Sequence, residues 1–434
     1  MNDTICALAT APGGALGIIR ISGDKSLEIL SRIFSKNLTA ARANTIHYGH
    51  IVATNPDGIP SGTAVVDEVL VSVFHAPHSY TGEDSAEISC HGSRYILNKV
   101  LELLVQNGCR TANPGEFTMR AYLNGKMDLS QAEAVADLIA STNEATHRIA
   151  MSQLRGHFSS RLAQLREQLL KLTSLLELEL DFSDHEDLEF ADRSELTELT
   201  KTIYNHIQHL ADSFHTGNAL KQGIPVAIIG APNVGKSTLL NALVGEERAI
   251  VSDQQGTTRD AIEDTITLGG IQFRFIDTAG IRHTSDKIEL MGIDRSKAAA
   301  QRARIVLMMT EPGVPYPDIE IRNDQTVIRI ENKTAEFQAK TGIGLDRLKQ
   351  QLVDAAPKTA DTDIIVTSAR HYEALLRASS HLQRVIDGLD MQLSGDLLSE
   401  DLRLTLDTLA KITGGQITTN EVLGNIFQHF CVGK

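Results

Sequence analysis

One stretch decides the fold of this 434-residue chain: Gly230-Ala-Pro-Asn-Val-Gly235-Lys236-Ser237. It matches the pattern G-x-x-x-x-G-K-[ST], in which the glycines let backbone N–H groups approach a phosphate closely. A lysine at the position of Lys236 reaches the β- and γ-phosphates, and a hydroxyl at the position of Ser237 ligates Mg²⁺. The stretch therefore predicts a site for a nucleoside triphosphate.

Both flanks of this loop have the pattern that such a site needs. Ile224-Pro-Val-Ala-Ile-Ile229 is a short apolar run, which predicts a buried parallel strand. Apolar residues recur at helical spacing in Thr238-Leu-Leu-Asn-Ala-Leu-Val244, so the loop should open a helix whose N-terminus favours anions. We predict a Ras-like P-loop domain with a three-layer α/β/α sheet.

Two later motifs are typical of a GTPase. Asp277-Thr278-Ala279-Gly280 ends an apolar strand predicted over 271–276, where an aspartate holds the Mg²⁺ shell and a glycine N–H meets the γ-phosphate. Gly256-Thr257-Thr258-Arg259-Asp260 lies earlier, where a switch segment supplies a threonine to Mg²⁺. Neither motif is specific alone, but their order after the phosphate loop predicts GTP hydrolysis.

Two residues depart from the common GTPase pattern. Ile281 occupies the position where many GTPases have a glutamine that orients the attacking water, and isoleucine has no polar atom for this purpose. Asn233 lies within the phosphate loop, where its amide oxygen is a candidate ligand for a monovalent cation. Such a cation would supply the positive charge that an arginine finger otherwise provides.

Composition limits the class of protein. The net charge is −14, which argues against a general nucleic-acid-binding surface but does not exclude one local basic groove. No apolar run reaches about 18 residues, and no basic region precedes an apolar one at the N-terminus, so we expect neither a membrane span nor a signal peptide. The four scattered cysteines predict no disulfide framework or zinc site, and the expected location is the cytoplasm.

We predict four segments along the chain. Residues 1–118 mix short apolar runs with Gly and Pro turns, as a small α/β domain does. Helical patterning follows over 119–221 and returns over 361–434, and the GTPase segment 222–360 lies between these parts. The predicted fold class is α/β and α, with an N-terminal α/β domain and an all-helical central domain that carries the GTPase domain as an insertion.

Further motifs resemble those of the MnmE (TrmE) family of tRNA-modification GTPases. The resemblance begins in Asp3-Thr-Ile-Cys-Ala-Leu-Ala-Thr10 and Gly17-Ile-Ile-Arg-Ile-Ser-Gly23. It continues in Ser79-Tyr-Thr-Gly-Glu-Asp84, Pro114-Gly-Glu-Phe-Thr118, Arg120-Ala-Tyr-Leu-Asn-Gly-Lys126 and Asp128-Leu-Ser-Gln-Ala-Glu-Ala-Val135, and it ends in Phe430-Cys-Val-Gly-Lys434. These motifs span both ends of the chain.

The resemblance implies a specific activity. Members of the family act with the flavoprotein MnmG, which brings FAD and NADH, to install a carboxymethylaminomethyl-type group at C5 of the wobble uridine (position 34) of certain tRNAs. Their N-terminal domain forms a homodimer and binds 5,10-methylene- or 5-formyl-tetrahydrofolate as the one-carbon source, and MnmG completes a heterotetramer. GTP and K⁺ bring the GTPase domains together. Because an anticodon loop is unstacked, tRNA recognition need not involve reading a duplex groove.

The resemblance also implies roles for individual residues. Glu289 would be the catalytic glutamate that orients water, in place of the glutamine missing at Ile281. Mg²⁺ would be held by Ser237 and Thr258, and K⁺ by Asn233, Ser252, Gln254 and Thr257. The implied GTP-binding residues are Asn233, Val234, Gly235, Lys236, Ser237, Thr238, Ser252, Thr257, Thr258, Asp277, Thr278, Ala279, Gly280, Asn332 and Lys333. Folate would be bound by Arg20, Glu87, Lys126 and Lys434, since its pterin suits a carboxylate and its glutamate tail suits Arg or Lys.

One motif departs from the family pattern. The guanine-reading sequence Asn-Lys-x-Asp appears as Asn332-Lys333-Thr334-Ala335, and alanine cannot accept the N1–H and N2–H₂ bonds that an aspartate accepts. The next motif, Gln338-Ala339-Lys340, resembles a Ser-Ala-Lys loop, and a helix and a strand normally precede it. Either the domain has lost a helix–strand unit, or the Asn-Lys pair is a coincidence. Glu336 is a candidate replacement for the aspartate.

Two functional hypotheses follow. The first is a K⁺-stimulated GTPase that drives wobble-uridine modification with MnmG, and the phosphate loop, the switch residues and Glu289 favour it. The second is a folate-binding dimeric scaffold for MnmG whose GTPase domain binds nucleotide poorly, and the altered guanine motif favours it. Titration with the fluorescent analogues mant-GDP and mant-ADP separates the two hypotheses.

Overall fold

The computed structural model describes most of the chain. It describes residues 3–54, 60–181, 193–246, 264–276, 297–360, 363–415, 426–427, 430 and 433. Contacts divide the chain into two compact units, the first comprising residues 1–136 and 410–434, and the second residues 137–409. Among the helices within these described ranges, none is long and apolar enough to cross a membrane.

The first unit is built on a six-stranded sheet with the strand order β3-β4-β5-β2-β1-β6. Neighbouring strands are antiparallel except β1 and β6, which are parallel. The strands are β1 Ile5–Leu8, β2 Leu16–Ser22, β3 Thr45–Thr54, β4 Pro60–Phe74, β5 Ser85–His91 and β6 Arg110–Thr111. The helices are α1 Ser26–Ile33, α2 Arg94–Gln106, α3 Glu116–Leu123 and α4 Leu129–Ala140, of which α4 belongs to this unit up to residue 136.

Alternating burial along β2 determines which of its side chains join the core. Ile19 and Ile21 are fully buried in the core of the first unit, whereas Arg20 lies on the opposite face of the sheet. The antiparallel register places Glu87 of β5 directly across from Arg20. Because a slip of one residue would exchange the two faces, the apolar pattern of β2 fixes where Arg20 and Glu87 meet.

A buried arginine ties distant segments of the first unit together. Arg120 is 1% exposed, and its guanidinium donates to carboxylate oxygens of Asp3 at 2.8 Å, Glu83 at 3.2 Å and Glu116 at 3.1 Å. Arg110 pairs with two of the same carboxylates, those of Asp3 and Glu116. The buried charges of Arg120 and Glu116 are therefore compensated by partners of opposite sign.

The second unit combines long helices with a five-stranded sheet of order β11-β10-β7-β9-β8. Only β8 is antiparallel to its neighbour. The strands are β7 Ile224–Gly230, β8 Asp264–Leu268, β9 Ile271–Phe275, β10 Ile305–Thr310 and β11 Thr326–Glu331. The helices are α5 Glu144–Leu154, α6 His157–Asp181, α7 Arg193–Gln222, α8 Lys236–Glu246, α9 Leu345–Ala355, α10 Ala369–Asp390 and α11 Gly395–Thr413, of which α11 belongs to this unit up to residue 409.

Helical segments cover both faces of this second sheet, as predicted for a P-loop domain. Leu239 of α8 and Leu348 of α9 pack in the core on one face, and Ala300, from the helical residues 297–302, packs on the other. Strand β7 has buried residues on both faces, which explains its continuous apolar run. The predicted α/β fold with helical parts is confirmed, whereas the four-segment division stays a prediction.

The sheet ends at β11, beyond which the described residues add no further strand. The crossover from β10 to β11, residues 311–325, contains neither a helix nor a strand and covers one face of the sheet with Ile319 and Ile321. Asn332 follows β11 directly, and no helix or strand element lies between Asn332 and Ala339. This short connection is what the loss of a helix–strand unit would leave.

Candidate functional site

The phosphate loop connects the end of β7 to the start of α8, as the motif predicts. Lys236 is the first residue of α8, and its Nζ donates to the backbone carbonyls of Gly230 and Ala231, both at 2.8 Å. Burial lowers the pKa of Lys236, because the ammonium group loses hydration. A phosphate in the loop would replace these carbonyls as the partner of the ammonium group, and the helix N-terminus would add its favourable dipole.

Two left-handed residues shape this loop. Gly235 has a φ of 98°, and a Cβ at this position would lie 2.5 Å from Nδ2 of Asn332, so only glycine fits without a shift. Asn233 has a φ of 63°, a conformation that asparagine adopts more readily than most residues. The motif residues are therefore required by backbone geometry as well as by phosphate chemistry.

Asn332 connects the phosphate loop to the segment after β11. It is 4% exposed, and its Nδ2 donates to the carbonyl oxygen of Val234 at 2.8 Å. Its Oδ1 accepts a hydrogen bond from the N–H of Ala339 at 3.0 Å, and its own N–H donates to Thr310 at 2.8 Å. The structure thus places Asn332 and Val234 together, and Asn332 holds three segments of the chain in one arrangement.

The rest of the altered guanine motif makes other contacts. Lys333 has a φ of 63°, and its Nζ forms an ion pair with Oε1 of Glu311 at 2.5 Å. Ala335 and Glu336 are both exposed. Sequence reasoning missed the amide of Ala339 as the partner of Asn332, although its Gln338-Ala339-Lys340 motif was the available signal.

Several predicted site residues lie outside the described residues. They are Ser252, Gln254, Thr257, Thr258, Asp277, Thr278, Ala279, Gly280, Glu289 and Lys434. Of the others near the phosphates, Ser237 and Thr238 lie in the first turn of α8. The roles of all these residues in binding or catalysis stay predictions.

Arg20 and Glu87 form a pair in the first unit. Nε and Nη2 of Arg20 donate to Oε1 of Glu87 at 2.9 and 2.6 Å, and Nη1 donates to the carbonyl of Gly433 at 3.3 Å. The guanidinium also lies 5.2 Å from the ring centre of Tyr80 and 5.6 Å from that of Phe117. The side chains of Arg20 and Glu87 are 16% and 30% exposed, so a ligand can reach both charges.

Lys126 is the third described residue of the predicted folate site. It contacts neither Arg20 nor Glu87 by a hydrogen bond but bonds to another segment of the first unit. Its Nζ donates to the carbonyl of Pro77 at 2.8 Å. The two rings against Arg20 were missed from the sequence as contacts, although Tyr80 and Phe117 belong to the motifs Ser79–Asp84 and Pro114–Thr118. Those motifs were the signal that marked this region.

Two family models match consecutive parts of the chain. The model for the GTP-binding protein TrmE N-terminus matches residues 4–126, and the model for the MnmE helical domain matches residues 129–431, which is more than half of the chain. The chain belongs to the MnmE family. The resemblance drawn from the sequence motifs is therefore confirmed.

Curated MnmE relatives match over their full length. The tRNA modification GTPase MnmE of Bacteroides fragilis is 51% identical over 473 aligned positions, which cover 100% of both chains. Those of Parabacteroides distasonis and Christiangramia forsetii are 51% and 47% identical over 468 and 482 positions, with 100% of both chains covered in each case. Since these alignments are longer than 434 residues, each relative has residues with no counterpart in this chain.

Solved structures give a weaker likeness. The cytosolic domain of the T. maritima FeoB iron transporter in its GDP form matches 44% of this chain and 97% of its own, at 18% identity and a TM-score of 0.21. Membership of the MnmE family, and not this structural likeness, indicates the general function. As a member of the family, this chain is a GTP hydrolase that binds GTP and GDP and takes part in tRNA modification.

Proposed function

We propose that this chain couples GTP hydrolysis to modification of wobble uridine 34 in certain tRNAs, in partnership with the flavoprotein MnmG. The product would carry a carboxymethylaminomethyl-type group at C5, built from a tetrahydrofolate one-carbon unit. One observation carries the proposal: a single chain of the MnmE family contains both a formed phosphate loop at Lys236 and a reachable arginine–carboxylate pair, Arg20 and Glu87.

The phosphate loop fits a nucleotide with Mg²⁺. Gly235 has the left-handed backbone that the loop requires, and Lys236 lies at the helix N-terminus, where the dipole favours an anion. Lys236 would bind the β- and γ-phosphates, and the hydroxyls of Ser237 and Thr258 would hold Mg²⁺, which neutralises phosphate charge when bound. Glu289 would orient the attacking water.

The conformation of Asn233 in the same loop supports the proposal of a monovalent-cation site. Asn233, in its left-handed conformation, would provide an amide oxygen for K⁺, together with Ser252, Gln254 and Thr257. K⁺ would supply positive charge beside the phosphates during hydrolysis. The other proposed GTP contacts are Val234, Gly235, Thr238, Asp277, Thr278, Ala279, Gly280, Asn332 and Lys333.

The Arg20–Glu87 pair of the first unit supports the proposal of a tetrahydrofolate site. Arg20 fixes the orientation of the Glu87 carboxylate, which suits the donor-rich edge of a pterin. Lys126 and Lys434 would meet the negatively charged glutamate tail of the folate. When bound, 5,10-methylene- or 5-formyl-tetrahydrofolate supplies the one-carbon unit.

The proposed assembly is a homodimer formed through residues 1–118, which MnmG extends to a heterotetramer. MnmG would bring FAD and NADH and bind much of the tRNA anticodon loop, in keeping with the net charge of −14 on this chain. The proposed domains are residues 1–118, 119–221 with 361–434, and the inserted 222–360. The proposed location is the cytoplasm.

Reconstitution with purified MnmG tests the coupled function. The reaction contains tRNA, 5,10-methylene-tetrahydrofolate, GTP, K⁺, FAD and NADH, and mass spectrometry of nucleosides measures modified uridine. We expect full yield with the wild type and with the surface control Lys201→Ala, and loss of at least tenfold with Lys236→Ala. Full yield with Lys236→Ala would support the folate-binding scaffold and refute the GTP-driven reaction.

The cation site has its own test. GTP hydrolysis should be faster in K⁺ than in Na⁺ at equal ionic strength. Asn233→Gly keeps the left-handed backbone available and removes only the amide, so this variant should bind GDP normally and hydrolyse GTP equally in both salts. Equal rates for the wild type in the two salts would refute K⁺ stimulation.

A further inference from the structure

The base-reading part of the nucleotide site is closed by its own hydrogen bonds. The segment 333–338 makes the whole connection between Asn332, at the end of β11, and Ala339. In a P-loop GTPase this part of the chain has to meet the guanine edge, which presents N1–H and N2–H₂ donors and the O6 acceptor. Base discrimination therefore depends on which acceptors and donors the segment has available.

The segment lacks the carboxylate that usually accepts hydrogen bonds from guanine. Ala335 occupies the position of the aspartate, and its methyl group accepts no hydrogen bond. The carboxylate of Glu311, across the loop from this motif, is paired with Lys333 at 2.5 Å. Glu336 is exposed, and its backbone lies against the end of the loop, where a Cβ at Gly344 would be 2.5 Å from the Glu336 carbonyl oxygen.

The use of backbone donors is the second observation. Within residues 334–342, six N–H groups donate to acceptors that lie within residues 332–343, at 3.0–3.2 Å. They belong to Thr334, Phe337, Gln338, Ala339, Thr341 and Gly342. In particular, the Ala339 N–H bonds to the buried Asn332, which in turn holds the phosphate loop, so this donor is committed before a base arrives.

We infer that the nucleotide site of this chain binds purine nucleotides with little discrimination between guanine, adenine and hypoxanthine. The inference rests on the proposed nucleotide site at Lys236 and specifies its substrate class. Binding energy would come from the phosphates, which contact the same loop whatever the base. A site built to hydrogen-bond a polar edge rejects an analogue without it by about 10⁴- to 10⁵-fold, and this segment lacks the groups for such rejection.

Fluorescence titration of the full-length chain tests the inference. The probes are mant-GDP, mant-ADP and mant-IDP, measured in Mg²⁺ and K⁺ with one buffer. We expect dissociation constants within about tenfold of one another, because Ala335 offers no acceptor to the 2-amino group and the Ala339 N–H is already bonded to Asn332. A preference for mant-GDP over mant-ADP above about 100-fold would overturn the inference and leave the proposed function intact.

Two variants separate the possible outcomes. Lys236→Ala should weaken all three probes alike, and failure of the wild type to bind any probe would overturn the proposed nucleotide site together with this inference. Glu336→Gln should change none of the three constants, as should the control Glu320→Gln, which removes an exposed carboxylate of the 311–325 segment. Selective loss of mant-GDP binding in Glu336→Gln would identify Glu336 as a guanine acceptor and refute the inference.

Discussion

Replacing Asn332 with alanine should release the phosphate loop from the 338–340 loop. The substitution removes two hydrogen bonds, from Nδ2 to Val234 at 2.8 Å and from the Ala339 N–H to Oδ1 at 3.0 Å. Each bond contributes about 1 kcal/mol net, and a buried group left without a partner costs about 1–3 kcal/mol. Because water can enter the vacated space beside both partners, we expect local opening to become easier by about 2–4 kcal/mol.

Hydrogen exchange of the Ala339 amide measures this opening directly. A change of about 2–4 kcal/mol corresponds to exchange that is roughly 30- to 800-fold faster in Asn332→Ala than in the wild type. Thr341→Ala is the matched control, because its side chain makes only an exposed hydrogen bond of 3.2 Å to Gln338 in the same loop. We expect the control to exchange at the wild-type rate.

The refuting result is equally specific. If the Ala339 amide is as protected in Asn332→Ala as in the wild type, then the Asn332 side chain does not hold the two loops together. In that case the loop would keep its shape through the bonds between Gln338 and Ile343 or Gly342.

Three further predictions concern the first unit. Arg120→Met leaves the buried carboxylate of Glu116 with fewer partners and should destabilise the unit by about 3–5 kcal/mol, seen as a lower urea midpoint in circular dichroism; an unchanged midpoint would contradict the buried network. Burial raises the pKa values of Asp3 and Glu116, but their arginine partners outweigh it and the net pKa of each carboxyl is lowered. This stabilisation is present above the unfolded pKa values of about 3.9 and 4.3 and is lost as pH falls through the lower folded values. The urea midpoint should therefore be steady from about pH 7 to 5 and decline below about pH 4.5. A urea midpoint that is constant down to about pH 3 would argue against this contribution of Asp3 and Glu116. Burial, with a contribution from Asp67, raises the pKa of Cys90 to about 12, so iodoacetamide at about pH 8 should label this thiol in urea but not in the folded chain, as read by mass spectrometry.

The phosphate loop could be predicted from the sequence because its residues are required by local geometry. Gly235 adopts a φ of 98°, and Lys236 must stand at a helix start to reach a phosphate, so strand, loop and helix follow from eight residues. Strand β7 could also be predicted, because a strand covered on both faces has a continuous apolar run.

Long-range partners could not be predicted in this way. Glu116 and Arg120 are one helical turn apart, but Asp3 and Glu83 come from distant parts of the sequence. No periodicity indicates that their carboxylates meet the buried Arg120. Likewise, the sequence showed that Ala335 replaces an aspartate, but whether the Asn332 side chain meets Val234 or solvent depends on packing across the sheet end. Such contacts are decided by tertiary structure and not by local pattern.

The position of β11 at the end of its sheet has a consequence for how copies of the chain behave at high concentration. A strand at a sheet edge presents backbone groups with which a strand of another molecule can pair, and charged side chains are a common defence. In β11 the exposed Arg329 and Glu331 alternate with the buried Ile328 and Ile330, and Arg329 also lies 5.8 Å from the ring centre of Tyr316. We therefore expect these two charges to oppose pairing between copies of the chain, and replacing them with valine or threonine to favour aggregation through β11.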